Sequence, residues 1–138
     1  KEIDADGVHL GQDDLDIKAA REYLGADKII GVSAHNVKEA LEAENGGADY
    51  LGSGAAFVTS TKTDAGAIDH KVLSDVAHSV KIPVVAIGGI NKDNISQLEG
   101  LGLDGVAVVS AIFAADDISS AVIDLKAKAK KAAESSSK

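Results

Sequence analysis

The 138 residues are 45% hydrophobic and 26% charged, and the formal net charge is −8 at pH 7. This composition is sufficient for one globular domain and excludes a disordered chain, while the negative charge argues against binding to nucleic acid or to an anionic membrane. The absence of cysteine excludes disulfides and thiolate chemistry. We therefore expect a cytoplasmic domain with neither a nucleic-acid partner nor a membrane partner.

Short apolar runs alternate along the chain with polar segments that have helical periodicity. The predicted strands cover residues 7–11, 28–32, 50–54, 84–88 and 105–109, and the predicted helices cover about 16–24, 37–45, 70–79, 92–101 and 119–131. Strands joined by helices form right-handed crossovers, so this α/β pattern predicts a parallel sheet. Part of a TIM (β/α)8 barrel and a rearranged, flavodoxin-like doubly wound sheet both remain open. The domain is expected to span residues 1–131, followed by a flexible tail at 132–138.

An aspartate precedes four of the predicted strands, at positions 6, 27, 49 and 104. Asp is a frequent turn residue, and the starts of parallel strands lie opposite the edge at which ligands bind. These aspartates are therefore predicted to have a structural role.

The first two strands are followed by polar residues that have two possible roles. Asp13 and Asp14 follow the first strand; their carboxylates could bind Mg2+, or one of them could cap the next helix, which the spacing favours. Ser33 follows the second strand and could donate a hydrogen bond to a ligand, although capping is the more common role of a lone serine.

The segment after the third strand, residues 54–62, combines small residues and hydroxyls with one lysine, Lys62. Such donors beside one cation suit a phosphate or diphosphate, although an ordinary polar turn has the same composition. Gly88 and Gly89 after the fourth strand allow a ligand to approach the backbone. Together with Val109 and Ser110 after the fifth strand, they match the phosphate site that barrels commonly form after their last two strands.

The histidines show no catalytic pattern in the sequence. His9 lies within a predicted strand and is interpreted as a packed side chain, whereas His70 and His78 fall on helical surface positions. Neither a Cys/His metal cluster nor a Ser-His-Asp arrangement is visible in the sequence.

Six motifs, in order and in spacing, resemble the thiamine phosphate synthase family. They are DGVHLGQDD at 6–14, GVSAH at 31–35, GADY at 47–50, TSTK at 59–62, VAIGGI at 85–90 and DGVAVVSAI at 104–112. Members of that family are (β/α)8 barrels that join a pyrimidine diphosphate to a thiazole phosphate and release diphosphate, with Mg2+ as cofactor. The related thiazole tautomerase fits less well at Ala55 and Ser60.

The resemblance implies a role for each matching position. Asp14 would be a Mg2+ ligand, and Ser33 and Lys62 would hold the pyrimidine diphosphate and take part in catalysis. The thiazole phosphate would be bound by Thr59, Ser60, Thr61, Gly89, Val109 and Ser110, with Gly88 in the same loop.

Only five of the family's eight βα units are recognisable, and position 1 is not Met. The chain therefore looks trimmed, and we expect it to be inactive in isolation and to associate with a second copy or with a missing N-terminal part. The alternative is a non-catalytic (βα)5 domain, natural or engineered, that self-associates. Two further departures from the family pattern are the loss of the loop prolines around Phe57 and the presence of Asp69 in place of glycine.

Overall fold

The computed structural model describes residues 1–58 and 66–135. Its five strands are β1 (Gly7–Leu10), β2 (Ile29–Ser33), β3 (Tyr50–Gly54), β4 (Val84–Ile87) and β5 (Gly105–Ala107). Its helices are α1 (Ile17–Leu24), α2 (Val37–Gly46), α3 (His70–Ser79), α4 (Ser110–Phe113) and α5 (Ile118–Glu134), with one 3-10 helix at Ile95–Leu98.

A side-chain cap begins each of the four longer helices. Asp16, Asn36, Asp69 and Asp117 accept hydrogen bonds from backbone N–H groups of the first turns of α1, α2, α3 and α5. These N–H groups have no partner within the helix, so a capping oxygen stabilises each start by about 1 kcal/mol. The caps fix where each helix begins after its strand.

All neighbouring strands are parallel and follow chain order, β1-β2-β3-β4-β5. The predicted α/β fold with a parallel sheet is therefore confirmed. The rearranged, flavodoxin-like order is wrong for the described sheet, because such an order would pair β1 with β3. Sequential right-handed crossovers place the helices on one face of the sheet.

The two faces of the sheet differ in composition. The helix-covered face contains the fully buried side chains of Ile30, Leu51 and Val84. The strand register places His9, Ser33 and Tyr50 on the opposite face, together with Val85 and Ile87 of β4 and several glycines. This open face therefore combines polar side chains with apolar ones.

Two segments differ from the predicted helices. The predicted helix at 92–101 is only the short 3-10 helix Ile95–Leu98, because Gly100 and Gly102 have φ values of 78° and 83°, which end helical geometry. Helix α5 continues past the predicted domain end to Glu134, with Ala132 buried. The Ser135 hydroxyl accepts a hydrogen bond from the Gly100 N–H at 3.2 Å, and residues 136–138 lie outside the described residues.

The aspartates before β3 and β5 have the predicted structural role. A carboxylate oxygen of Asp49 accepts from the Ile30 N–H at 2.7 Å and from Arg21 Nη2 at 2.6 Å. Asp104 accepts from the Val84 N–H at 2.8 Å. The Ile30 hydrogen bond, followed by the Arg21 guanidinium, lowers the pKa of Asp49 against the opposing effect of partial burial.

Within 1–58 and 66–135, no helix combines the length and the apolar character required to span a membrane.

Candidate functional site

The predicted site residues that the structure describes lie at the carboxyl ends of four strands. Asp14 follows β1, Ser33 ends β2, Gly88 and Gly89 follow β4, and Val109 and Ser110 follow β5. Because the strands are parallel, all of their carboxyl ends lie on the same side of the sheet. The predicted residues Thr59, Ser60, Thr61 and Lys62 lie outside the described residues.

Asp14 closes the loop between β1 and α1. Its Oδ2 accepts from the Gly11 N–H at 2.7 Å, and its own N–H donates to the Gly11 carbonyl at 3.3 Å. The helix cap is Asp16, whose Oδ1 accepts from the N–H groups of Lys18 and Ala19. The capping interpretation of Asp13 and Asp14 is therefore wrong, because Asp16, directly before Ile17, occupies the cap position.

The chemistry of Asp14 fits one ligand of a Mg2+ ion. Mg2+ takes oxygen donors and usually keeps several waters, with one or two carboxylates and substrate phosphates completing its shell. Among the described residues, no group of three or more His, Cys, Asp or Glu side chains could hold a metal. Asp14 thus fits one carboxylate ligand of a magnesium whose shell also includes water and substrate oxygens.

Ser33 is held from two sides. Its hydroxyl oxygen lies 2.9 Å from His9 Nε2, and its backbone carbonyl accepts from Gln12 Nε2 at 2.6 Å. The cap of α2 is Asn36, so the capping interpretation of Ser33 is also wrong. Ser33 instead ends its strand with its hydroxyl on the open face of the sheet.

His9 continues this contact to a third side chain, because its Nδ1 lies 2.9 Å from the Tyr50 hydroxyl. Tyr50, His9 and Ser33 therefore form one hydrogen-bonded chain across three strands. Two glycines provide the space: a Cβ on Gly31 would collide with the Tyr50 ring, and a Cβ on Gly52 would lie 3.1 Å from His9 Cε1. These three hydrogen-bonded side chains cross the sheet directly above the backbone of the two glycines.

The interpretation of His9 as a packed side chain is wrong, since this histidine is exposed on the open face. Sequence reasoning also missed Tyr50. The strand register brings these side chains together, because His9, Gly31 and Tyr50 share one register position and Ser33 pairs with Gly52 two residues further along. A polar residue opposite glycines on successive strands indicates a side chain that lies flat on the sheet.

The loops after β3 and β4 pack backbone to backbone. The Ala56 N–H donates to the Ile87 carbonyl at 2.8 Å, and the Phe57 N–H donates to the Gly88 carbonyl at 3.0 Å. Gly88 and Gly89 have φ values of 100° and 66°. A Cβ on Gly88 would lie 2.8 Å from the Ala55 Cα, so close packing requires this glycine independently of any ligand.

His70 supports the same loop from the start of α3. Its Nε2 lies 3.1 Å from the Ala56 carbonyl, and its ring meets the Phe57 ring edge-on with centroids 5.1 Å apart. His70 is the first residue of α3, so the prediction that it lies on a helix is confirmed, and it is half-buried because its ring also packs against the loop. The residues that lead into segment 59–65 are thus anchored to both β4 and α3.

Val109 and Ser110 are exposed at the start of the short helix α4. Their strand, β5, pairs with β4 through Ile87 and Ala107, the last residues of the two strands. The loops that carry Gly89 and Ser110 therefore leave neighbouring strands at the same level. This is the arrangement that the two-loop phosphate prediction requires.

A cavity of about 130 Å³ lies between the β1–α1 loop and α2, outside the open face. Four carboxylates line it, from Asp14, Asp16, Glu39 and Glu42. Partial burial acts to raise the pKa of Glu39, but hydrogen bonds from the His35 N–H and side chain and from Asn36 outweigh it and lower that pKa. Negative charge here opposes phosphate binding, so we do not assign the cavity to an anionic substrate.

Comparison with known proteins identifies one family. The model of the TMP-TENI family, thiamine monophosphate synthase, matches residues 1–112. The thiamine-phosphate synthase of Clostridium acetobutylicum is 56% identical over 116 residues, which are 84% of this chain and 55% of that protein. The enzyme of the same name from Methanobrevibacter smithii is 54% identical over 113 residues, 82% of this chain and 54% of that protein.

A solved structure agrees with these sequence relatives. Thiamine phosphate pyrophosphorylase from Pyrococcus furiosus superposes with a TM-score of 0.84 at 47% identity, covering 94% of this chain and 62% of that one. The chain therefore spans between about half and two thirds of the length of these relatives.

Proposed function

The chain belongs to the thiamine monophosphate synthase family, and we propose that it contributes to the transferase reaction that joins a pyrimidine diphosphate to a thiazole phosphate and releases diphosphate. The family match over residues 1–112 carries this proposal. The positions of Asp14, Ser33, Gly89 and Ser110 at the carboxyl ends of parallel strands support it. The activity of the whole protein is part of the proposal, because the curated relatives are longer than this chain.

We propose that the sheet is five consecutive units of a (β/α)8 barrel. Its strands are all parallel and lie in chain order, which is the order within a barrel. The open face would then face the barrel interior, and the edge that carries Asp14 and Ser33 would be the catalytic end.

Departure of diphosphate is the step that the proposed site must assist. The leaving group gains negative charge as its bond to the pyrimidine methylene breaks, and the thiazole nitrogen supplies the electron pair for the new bond. A bound Mg2+ would neutralise part of that charge. Lys62 would supply a second positive charge, and the Ser33 hydroxyl a hydrogen bond to a diphosphate oxygen.

The thiazole phosphate is assigned to the neighbouring loops. Gly89 and Ser110 follow adjacent strands, and the anchored segment Ala55–Phe57 leads towards Thr59, Ser60 and Thr61. Backbone N–H groups and hydroxyls suit a phosphate that must be positioned without covalent chemistry. The protein would thereby align the thiazole nitrogen with the pyrimidine methylene carbon.

Calorimetric titration with inorganic diphosphate tests the proposal. With Mg2+ present, Asp14→Asn should weaken binding about tenfold, whereas the neighbouring Asp13→Asn should not. Without Mg2+, Asp14→Asn should bind no more weakly than the unmodified chain, because the substitution removes a negative charge. Equal effects of the two substitutions with Mg2+ present would contradict the role of Asp14.

Lys62 is tested in the same titration. Lys62→Ala should lower the affinity for diphosphate about tenfold or more, the effect expected for a hydrogen-bonded charge pair. Lys71→Ala is the matched control, because Lys71 is an exposed lysine paired with Asp75 on α3. Equal affinity of the two variants would exclude Lys62 from the diphosphate site.

A further inference from the structure

We propose that Tyr50 and His9 are positioning residues that turn the hydroxyl hydrogen of Ser33 outward, as a donor to an anionic oxygen of the ligand. The proposal rests on the proposed function, because it assumes that the ligand at Ser33 is a diphosphate. It assigns roles to two side chains that sequence reasoning left without any. The observation behind it is the unbroken chain of 2.9 Å contacts from Tyr50 through His9 to Ser33.

A neutral imidazole carries one proton, so the hydrogen bonds among Tyr50, His9 and Ser33 can run in two directions. In the first, the Tyr50 hydroxyl donates to Nδ1, and Nε2–H donates to the Ser33 oxygen, which leaves the serine hydrogen free for a ligand. In the second, Nδ1–H donates to Tyr50, and Ser33 donates its hydrogen to Nε2. The second arrangement leaves only lone pairs of Ser33 for a ligand, which repel an anion.

The acidity of the phenol favours the first arrangement. A phenol O–H is a stronger hydrogen-bond donor than the aliphatic hydroxyl of serine, so Tyr50 is better matched than Ser33 as the donor to an imidazole nitrogen. Once Tyr50 donates to Nδ1, the single ring proton lies on Nε2 and points to Ser33. Each hydrogen bond then polarises the next in the direction of the ligand.

The neighbouring residues hold the side chains of Tyr50, His9 and Ser33 in position. A Cβ on Gly31 or on Gly52 would meet the Tyr50 or the His9 ring, so both rings lie directly on the sheet. The Gln12 amide fixes the backbone carbonyl of Ser33 at 2.6 Å. With the backbone of Ser33 held by Gln12 and its oxygen by His9, the remaining freedom is the direction of the hydroxyl hydrogen. The hydrogen bonds from Tyr50 through His9 to Ser33, here called the relay, determine that direction.

The tautomer of His9 tests the relay without any ligand. Two-bond 15N–1H spectra of the histidine rings should show His9 protonated at Nε2 in the unmodified chain. Tyr50→Phe keeps the aromatic ring and removes the donor to Nδ1, so His9 should then become a mixture of tautomers. Tyr23→Phe, at an exposed tyrosine on α1, is the control and should change nothing. Protonation of His9 at Nδ1 in the unmodified chain would overturn the proposal.

Affinity for inorganic diphosphate tests the consequence. Ser33→Ala should weaken binding about tenfold, the loss expected for a hydrogen bond to a charged group. His9→Leu should weaken binding several-fold, but should have no further effect in the Ser33→Ala background. His9→Gln, whose amide N–H can replace Nε2–H, should recover most of the lost affinity.

The two ways to fail are distinguishable. If Ser33→Ala leaves diphosphate affinity unchanged, Ser33 does not contact the ligand and the proposed function fails at this residue, whatever the His9 tautomer. If Ser33→Ala weakens binding but His9→Leu weakens it additively, or His9→Gln fails to recover it while remaining folded, the relay is overturned and the role of Ser33 stands.

Discussion

The Phe57 N–H donates to the Gly88 carbonyl at 3.0 Å, and this bond joins the loop after β3 to the loop after β4. The contact is possible because Gly88 has a φ of 100° and no Cβ to meet Ala55. Two loops with predicted phosphate-binding roles are thus held together by backbone. Their separation depends on one glycine.

Gly88→Ala is predicted to destabilise the fold by about 2–4 kcal/mol, since it adds a backbone clash to the roughly 1–2 kcal/mol cost of a left-handed conformation. Gly100→Ala measures the cost of the left-handed conformation alone, because Gly100 has a φ of 78° and nothing within 4 Å of an added Cβ. Urea unfolding measures both variants. Equal losses for the two would show that the packing of Gly88 against Ala55 is unimportant.

Asp49→Asn is predicted to lower stability by about 1 kcal/mol at pH 7, a modest value because the carboxylate side chain is 47% exposed. The folded pKa of Asp49 is lowered, so its contribution is complete above the unfolded value of about 3.9 and is lost as the pH falls through the folded pKa. The urea midpoints of the two proteins, measured from pH 7 to pH 2, should therefore begin to converge near pH 4 and should meet only below the folded pKa.

Asp27→Asn is the control for this series, because exposed Asp27 precedes β2 as Asp49 precedes β3. It should leave the midpoint nearly unchanged across the range. A constant difference between the unmodified chain and Asp49→Asn down to pH 2 would refute the ion-pair and hydrogen-bond account of Asp49.

The chain is predicted to associate in solution. β1 and β5 are the edges of the described sheet, and edges of this kind offer unpaired backbone groups to another chain. Ile29 and Ile87 add exposed apolar surface, at 50% and 43% exposure. Light scattering should report a mass above the 14.0 kDa of one chain.

Substitution on the open face should reverse this association. Ile87→Lys places a charge on the open face and should shift the mass towards one chain, whereas Leu41→Lys on α2 should not. A mass of one chain at every concentration would contradict this prediction.

Much of the fold is predictable from the sequence because the apolar periods alternate between strand and helix along the chain. Strand β3 and helix α3 have the predicted bounds, Tyr50–Gly54 and His70–Ser79. The helix predicted at 92–101 fails because periodicity does not register the positive φ of Gly100 and Gly102. Local pattern identifies an element more reliably than it identifies where the backbone must turn.

The site is less predictable than the fold, because its contacts join residues far apart in the chain. Ser33 is recognisable by its motif, but its partner His9 lies on one neighbouring strand, and Tyr50, which contacts His9, lies on the other. Only the strand register shows that these side chains share a face. A lone histidine within a strand carries no such information.

The most direct test of the account is an amide chemical-shift titration of the chain with a thiazole phosphate. The central claim is that the loops after β4 and β5 form a phosphate site, so Gly89 and Ser110 should shift first and should saturate together. The chemical shifts of the backbone amides of Ile30 and Val84 should stay unchanged, because these amides bond to Asp49 and Asp104 on the opposite side of the sheet, where the strands begin. Shifts confined to that opposite side, or to the acidic cavity beside α2, would contradict the assignment of the site.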